Sequence, residues 1–368
     1  MKKTFIKNLI GRISVIFLIG LFAVFLCICV KFGIRCITEA GYFQSFESID
    51  KMISENFLLK KEIIKTAKIG EDFITEDDYD NIYPIDGNLY YIPDIVDDLQ
   101  IEQVAENIAK FSDKTDTQVY FSVVPSASSV YYEEFTLKDL PLQEKKSIES
   151  FYSLFSGNVR YITLYNTMRS SKNDYIYYRT DKKWTSYGAF CGYRKIIQKL
   201  GYTPTNFSDY TVKGMSADFY GDLYDESKVA DITADCIEKY TSINGSKILY
   251  LNQEEYSDEN NIYCNEYLNS SENALDYYLG NTNAVTLIET NVRSDNNLII
   301  FKDDYANEMI EFLMQHYKEI TVVDMNKMTE NDYKQLCESG FDDYTEILFL
   351  CGYESLADSD FFNMIGNV

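Results

Sequence analysis

One histidine, one tryptophan and five prolines stand in a chain of 368 residues, and 34 basic residues face 58 acidic ones. The lone histidine, His316, rules out a zinc site made of histidines alone. No Walker loop, dinucleotide fingerprint or pair of CxxC motifs occurs, so the nucleotide and zinc-module classes those patterns mark are not indicated. A formal net charge of −24 repels phosphate backbones and excludes nucleic acid as a partner. The acid excess reads instead as a solubilising outer face. No Gly-, Pro- or Ser-rich linker divides the chain, and 46% hydrophobic residues suffice for one main domain with a substantial core. Cys27, Cys29 and Cys36 stand near the N-terminus, leaving Cys191, Cys236, Cys264, Cys337 and Cys351 at wide, irregular spacing. That odd set is no disulfide framework. Its members read as small buried apolar residues, with one bridge possible.

Ile13 to Val30 is apolar apart from Ser14 and Gly20. Eighteen helical residues rise roughly 27 Å, close to a bilayer's hydrocarbon thickness. Lys2, Lys3, Lys7 and Arg12 precede the run and Lys31 and Arg35 follow it, which places the N-terminus in the cytoplasm. A cleaved signal peptide is the alternative, but no small-x-small site follows the run. The expected order is a cytoplasmic N-terminus over 1–12, a signal anchor over 13–30, a juxtamembrane segment over 31–75 and an extracytoplasmic domain over 76–368. The expected location is the plasma membrane, single-pass, with the domain facing outside.

Within the domain, Glu76, Asp77, Asp78 and Asp80 lack the spacing of a calcium loop and read as a solvated loop. Ile101, Val104, Ile108 and Phe111 recur at helical spacing, and Val119 to Val124 is an apolar strand closed by Pro125. Ser126 to Ser129 reads as a small-residue loop. A second unit runs from a strand near Val159 to a helix over 189–200, stopped by Gly201. From 208 to 291 the pattern loosens into irregular structure with short strands. It sharpens again at Leu298–Phe301, Ile320–Val323 and Ile347–Leu350, three buried-strand runs. The positions Met309, Ile310, Leu313, Met314 and Tyr317 mark a helix after the first run. A second helix opens at Thr329 with Asp332 and closes at Gly340. Alternating helices and strands predict a mainly parallel sheet covered on both faces, with sites at the carboxyl ends of its strands.

The most specific stretch is Tyr177-Tyr178-Arg179-Thr180-Asp181-Lys182-Lys183-Trp184-Thr185-Ser186-Tyr187-Gly188-Ala189-Phe190. It resembles the signature of the DHHW proteins, in which Arg-Thr precedes Asp-His-His-Trp and Thr-x-x-Gly-Ala follows. Lys302-Asp303-Asp304-Tyr305-Ala306-Asn307 is similar to the same family's Lys-Asp-Ser-Tyr-Ala-Asn segment, and Asp218-Phe219-Tyr220-Gly221 adds a third match. The resemblance extends over most of residues 80 to 360. It implies an α/β fold, the SGNH-hydrolase-like three-layer sandwich, related to the domains of alginate O-acetyltransferases.

Asp181 and Trp184 match the motif, Lys182 and Lys183 stand where it has histidines, and Asp304 stands where it has the nucleophilic serine. Gly352 corresponds to a common asparagine. The implied mechanism needs a serine activated by histidine and oriented by aspartate. A lysine has a reference pKa of about 10.4, too high for a base near neutrality without strong desolvation, and a carboxylate attacking an ester would yield a labile anhydride.

Two accounts of the exchange remain open: Asp304 and Lys183 form an ion pair, joined by Asp181 and Lys182, or both side chains are solvated and uncoupled. The expected protein is noncatalytic, uses no cofactor or metal, and binds a cell-surface glycan or an acyltransfer partner. The rival is an esterase or O-acetyltransferase with Asp304 and Asp181 as acid and base or as metal ligands. His316, among the apolar positions of its segment, reads as structural.

Overall fold

The computed structural model describes residues 81–367, except 136–138, 230–231, 259–260 and 271–272. The expected membrane helix over 13–30, the juxtamembrane segment over 31–75 and the acidic run at 76–80 lie outside the described residues. Among those described, no helix is long and apolar enough to cross a membrane.

Twelve strands are described, in chain order β1 (Ile82–Ile85), β2 (Asn88–Tyr91), β3 (Gln118–Val124), β4 (Val159–Tyr161), β5 (Tyr210–Phe219), β6 (Asp235–Ser242), β7 (Ile248–Leu251), β8 (Glu254–Glu255), β9 (Val285–Thr290), β10 (Asn297–Lys302), β11 (Glu319–Asp324) and β12 (Glu346–Gly352). The five longer helices are α1 (Asp98–Ser112), α2 (Asp139–Ser153), α3 (Ser186–Lys199), α4 (Glu330–Ser339) and α5 (Ser359–Asn367). The main sheet has the order β4-β3-β12-β10-β11-β9-β7-β8. Its first five strands are parallel, while β9, β7 and β8 continue it in antiparallel fashion.

The parallel strands are apolar almost without break because both faces are covered. On one face Phe121, Phe349 and Phe301 stand on three adjacent strands with ring centroids 5.7 and 4.6 Å apart. They pack under Ile108 and Phe111 of α1, Phe151 of α2, Tyr333 of α4 and Phe362 of α5. The other face carries Tyr120, Leu298, Ile300, Ile320, Val322, Leu348 and Leu350, covered by Phe190, Tyr193, Ile196 and Ile197 of α3 and by Phe312 and Leu313. Burying a side chain of this size stabilises the fold by about 1.5–3 kcal/mol. This gives the expected helix-sheet-helix layering around a mainly parallel sheet.

Side chains and glycines close the helix ends. Asp97 caps α1, Thr185 accepts from Gly188 N at the start of α3, and Thr329 with Asp332 forms a full capping box on α4. Gly201 and Gly340, at φ of 99° and 71°, take the left-handed positions after their helices.

Two expectations are corrected. The segment after β10 is a 3₁₀ turn over Asp304–Met309 followed by a single α turn over Ile310–Leu313, so His316 lies in a loop rather than a helix. Where irregular structure with short strands was expected, β5 and β6 are strands of ten and eight residues paired antiparallel. Most of β5 is exposed on both faces and register shifts interrupt the pairing, so the apolar alternation that marks a half-buried strand is missing. All five described cysteines are free, with Cys191 and Cys351 buried and the other three partly so.

Candidate functional site: a charged cluster at the sheet's switch point

Counted from β10, the parallel strands β10, β11, β12, β3 and β4 lie in the spatial order 2-1-3-4-5, a circular permutation of a doubly wound sheet. In that order the chain departs in opposite directions from the first and third strands, leaving a crevice beyond their carboxyl ends where α/β sheets place their sites. Here the two strands are β10 and β12. β10 runs into Asp303-Asp304, and β12 ends at Gly352.

Asp303 bridges the crevice. Its carboxylate accepts from Gly352 N at 2.7 Å, Ser355 Oγ at 2.6 Å and Tyr305 N at 3.0 Å. Burial raises this carboxyl to about 6 against the pull of those three bonds. Gly352 is sterically required, since a Cβ there would stand 2.4 Å from the Tyr305 ring.

The Asp181–Trp184 segment docks on the Asp303–Tyr305 segment. Trp184 is fully buried and donates Nε1–H to the Tyr305 carbonyl at 2.6 Å, while the Tyr305 hydroxyl donates to the Lys182 carbonyl at 3.1 Å. The two stretches singled out in the sequence, some 120 residues apart, thus share one site.

Within it, buried Asp181 accepts from Lys183 N at 2.9 Å and from Asp222 N at 3.4 Å. The Lys183 ammonium stands 3.6 Å from Asp181 Oδ1, with 18% of its side chain exposed. Burial opposes its charge, but Asp181, Asp222, Asp304 and Glu308 outweigh that and hold its pKa above the ordinary lysine value. The partner of Lys183 within ion-pair reach is therefore Asp181, with half-buried Asp304 acting at longer range. Lys182 turns away, 3.7 Å from Glu354 and over the Tyr91 ring at 4.2 Å.

Three acids join the cluster without having stood out in the sequence. Glu308 is buried, neither of its oxygens has a hydrogen-bond partner, and burial raises its carboxyl to about 8. Burial and the neighbouring Asp181 also raise Asp222. Asp235 on β6 holds the motif's loop from behind. It accepts from Arg179 N and Thr180 N at 2.9 Å each, from Thr180 Oγ1 at 2.5 Å and from the Tyr175 hydroxyl, and it pairs with the Arg179 guanidinium at 3.4 Å. Glu308 and Asp222 each stand immediately after a matched segment, a usable signal. Asp235 lies in the loosely patterned region, where nothing marked it.

At the end of β3, Ser126 donates its backbone N–H at 2.8 Å and its hydroxyl to buried Glu144, whose carboxyl burial raises to about 7. Ser126 also accepts from Ser129 N at 3.2 Å, which makes it the cap of a short helical turn. The cleft between Ser126, Asp181, Lys182, Tyr305 and Glu354 has a free volume of about 10 Å³. That is room for one water. No group of three or more His, Cys, Asp or Glu residues is placed to hold a metal ion among the described residues.

His316 is remote from the cluster. It lies just before β11, its backbone carbonyl accepts from Ser294 Oγ ahead of β10, and Nε2 is 2.6 Å from the Tyr193 hydroxyl. Six strand residues, about 20 Å, separate that end of β10 from Asp303. Burial depresses this imidazole to about 4.

The fold is shared with known proteins. A DHHW family protein from Eubacterium siraeum has 21% identity and a TM-score of 0.63, over 78% of this chain and 94% of its own. Bacillus cereus PatB1, solved with a sulfonyl adduct, has 20% identity and a TM-score of 0.63, over 77% of this chain and 97% of its own. The O-acetyltransferase domain of Pseudomonas putida AlgJ is more distant, at 14% identity and a TM-score of 0.46 over 78% of this chain and 99% of its own. No curated protein matches the chain. The DHHW protein family matches residues 61–323. With more than half of its length inside that match, the chain belongs to the DHHW family.

Proposed function

We propose that this chain is a noncatalytic cell-envelope member of the DHHW family, in which a charge cluster has replaced the acyl-transfer centre and whose task is to bind surface glycan. The observation that carries the reading is the position of the one imbalance a serine mechanism cannot tolerate. Asp304 and Lys183 occupy the places that the family resemblance gives to serine and histidine. The chain's one imidazole sits at the other end of the sheet with its nitrogen bonded to Tyr193. Loss of the nucleophile or base from a triad costs on the order of a million-fold in turnover.

The surroundings support this reading. Lys183 is held charged, by Asp181 above all, and has no free pair to accept a proton near neutrality. The N-terminal apolar run would tether the domain on the outer side of the plasma membrane, where such a glycan lies.

Ester hydrolysis, acetyl transfer and labelling by phenylmethanesulfonyl fluoride test the proposal on the full-length chain. Neither turnover nor a covalent adduct in the cluster is expected. Robust turnover that disappears in Asp304→Ala would overturn it and favour the rival esterase or acetyltransferase with altered Asp and Lys chemistry.

A further inference from the structure

A second cleft opens at the amino-terminal end of the parallel strands, opposite the charged cluster. It is bounded by Thr205 and Asp209 beyond α3, by Ser242 at the end of β6 and residues 244–246 before β7, by residues 291–293 between β9 and β10, and by Gln315. Its free volume is about 600 Å³, within the range of small-molecule sites. The cleft at the cluster, with about 10 Å³, is far below that range.

The walls are tied to one another. Ser246 N donates to Gln315 Oε1 at 2.8 Å, Lys247 N to Asn291 Oδ1 at 2.8 Å, Asn291 N to the Lys247 carbonyl at 3.1 Å, and Ile243 N to the Asp209 carbonyl at 2.8 Å. A Cβ at Gly245 would stand 2.0 Å from Gln315 Oε1 and 2.1 Å from Ser242 Oγ, so the turn's backbone lies directly against these side chains. A cleft held open in this way needs little ordering when a ligand arrives.

The lining selects the ligand class. One carboxylate, Asp209, and one guanidinium, Arg293, offset each other and do not pair with each other, and the remaining polar groups are hydroxyls and amides. A phosphate or a divalent cation would need an excess of one charge, and a lipid chain would need apolar walls. Amides and hydroxyls both donate and accept, which matches the paired donor and acceptor character of sugar hydroxyls.

We infer that this cleft binds an uncharged saccharide segment. The inference rests on the glycan-binding reading above and adds the place, separate from the family's centre. Binding of N-acetylchitotetraose and of a tetragalacturonate to the full-length chain, in a detergent without sugar headgroups, is the test. Saturation-transfer NMR and calorimetric titration supply the readouts.

The neutral tetrasaccharide is expected to bind. Its affinity is expected to fall roughly tenfold or more in Asn244→Ala/Arg293→Ala and in the cleft-filling Asn244→Trp, and to stay within about twofold in Asp304→Asn. Both cleft residues are exposed, and an unchanged thermal midpoint checks that the variants fold. Binding lost in Asp304→Asn but kept in the cleft variants would overturn the inference and leave the glycan reading standing. Stronger binding of the anionic tetramer would overturn the ligand class, and failure of both tetramers to bind would remove the glycan reading together with this one.

Discussion

The two ends of the same sheet are built on opposite principles. At the carboxyl end the motif segments are locked by buried hydrogen bonds and dense with titratable groups: Asp181, Lys183, Asp303, Asp304 and Glu308 stand close together there. At the amino end exposed turns carry amides and hydroxyls around an open cleft, and the histidine there stays neutral. A charged, closed site invests its interactions in itself, whereas an open polar one leaves donors and acceptors for a ligand. Losses at the carboxyl end should therefore appear as stability, and losses at the amino end as binding.

The largest effect should come from Trp184→Ala. It empties a fully buried site and removes the bond to Tyr305 that joins the two segments, with an expected cost of about 3–5 kcal/mol in denaturant unfolding. Next is Asp235→Ala, which strands the backbone donors of Arg179 and Thr180. A loss on the order of 3 kcal/mol is expected, and less than about 1 kcal/mol would show that the loop stands without its support.

Glu308→Gln sharpens the comparison through pH. The folded carboxyl titrates near 8 against an ordinary 4.5, so the native state holds a proton that the unfolded chain has released. The contribution of Glu308 to stability is complete below about pH 4.5 and is lost as pH rises toward 8, by up to about 1.4 kcal/mol per pH unit. In the glutamine variant that component of the slope should vanish. A shallower slope from Asp303, Glu144 and Glu311, whose carboxyls burial also raises, should remain.

A smaller effect separates the partners of Lys183. Double-mutant cycles should give a coupling of about 1–2 kcal/mol between Lys183 and Asp181 and less between Lys183 and Asp304, following the 3.6 Å contact. The reverse order would restore the direct pair of Lys183 with Asp304. The smallest expected change is at the other end of the sheet, where Asn244→Ala should alter stability by less than about 0.5 kcal/mol. A large loss there would break the contrast between the ends.

Sequence and structure agree where a local rule sufficed. The 3.6 period placed α1, continuous apolar runs placed β3, β10, β11 and β12, and capping chemistry placed the ends of α4. The β5–β6 hairpin escaped because its exposed faces remove the alternation. The β1–β2 hairpin carried an overlooked cue in Asp86-Gly87, whose positive φ values of 48° and 75° suit a tight turn. Within the site, the motif named Asp181, Lys183, Trp184 and Asp304. Asp235 and the choice of Asp181 as the partner of Lys183 were not legible, since both depend on which distant segments fold together.

By itself the sequence determined the alternation of helices and strands and the family resemblance, with Asp304 and Lys183 at the positions where the resembled motif has serine and histidine, because each is written in local pattern or residue identity. Only the tertiary structure decided that the strands close in a permuted order with β10 beside β12. It also decided that Trp184 seats on Tyr305, that Glu308 is buried without a partner, and that His316 lies a strand's length from the cluster. Pairing order, burial and distance arise between segments far apart in the chain, where no short-range rule reaches.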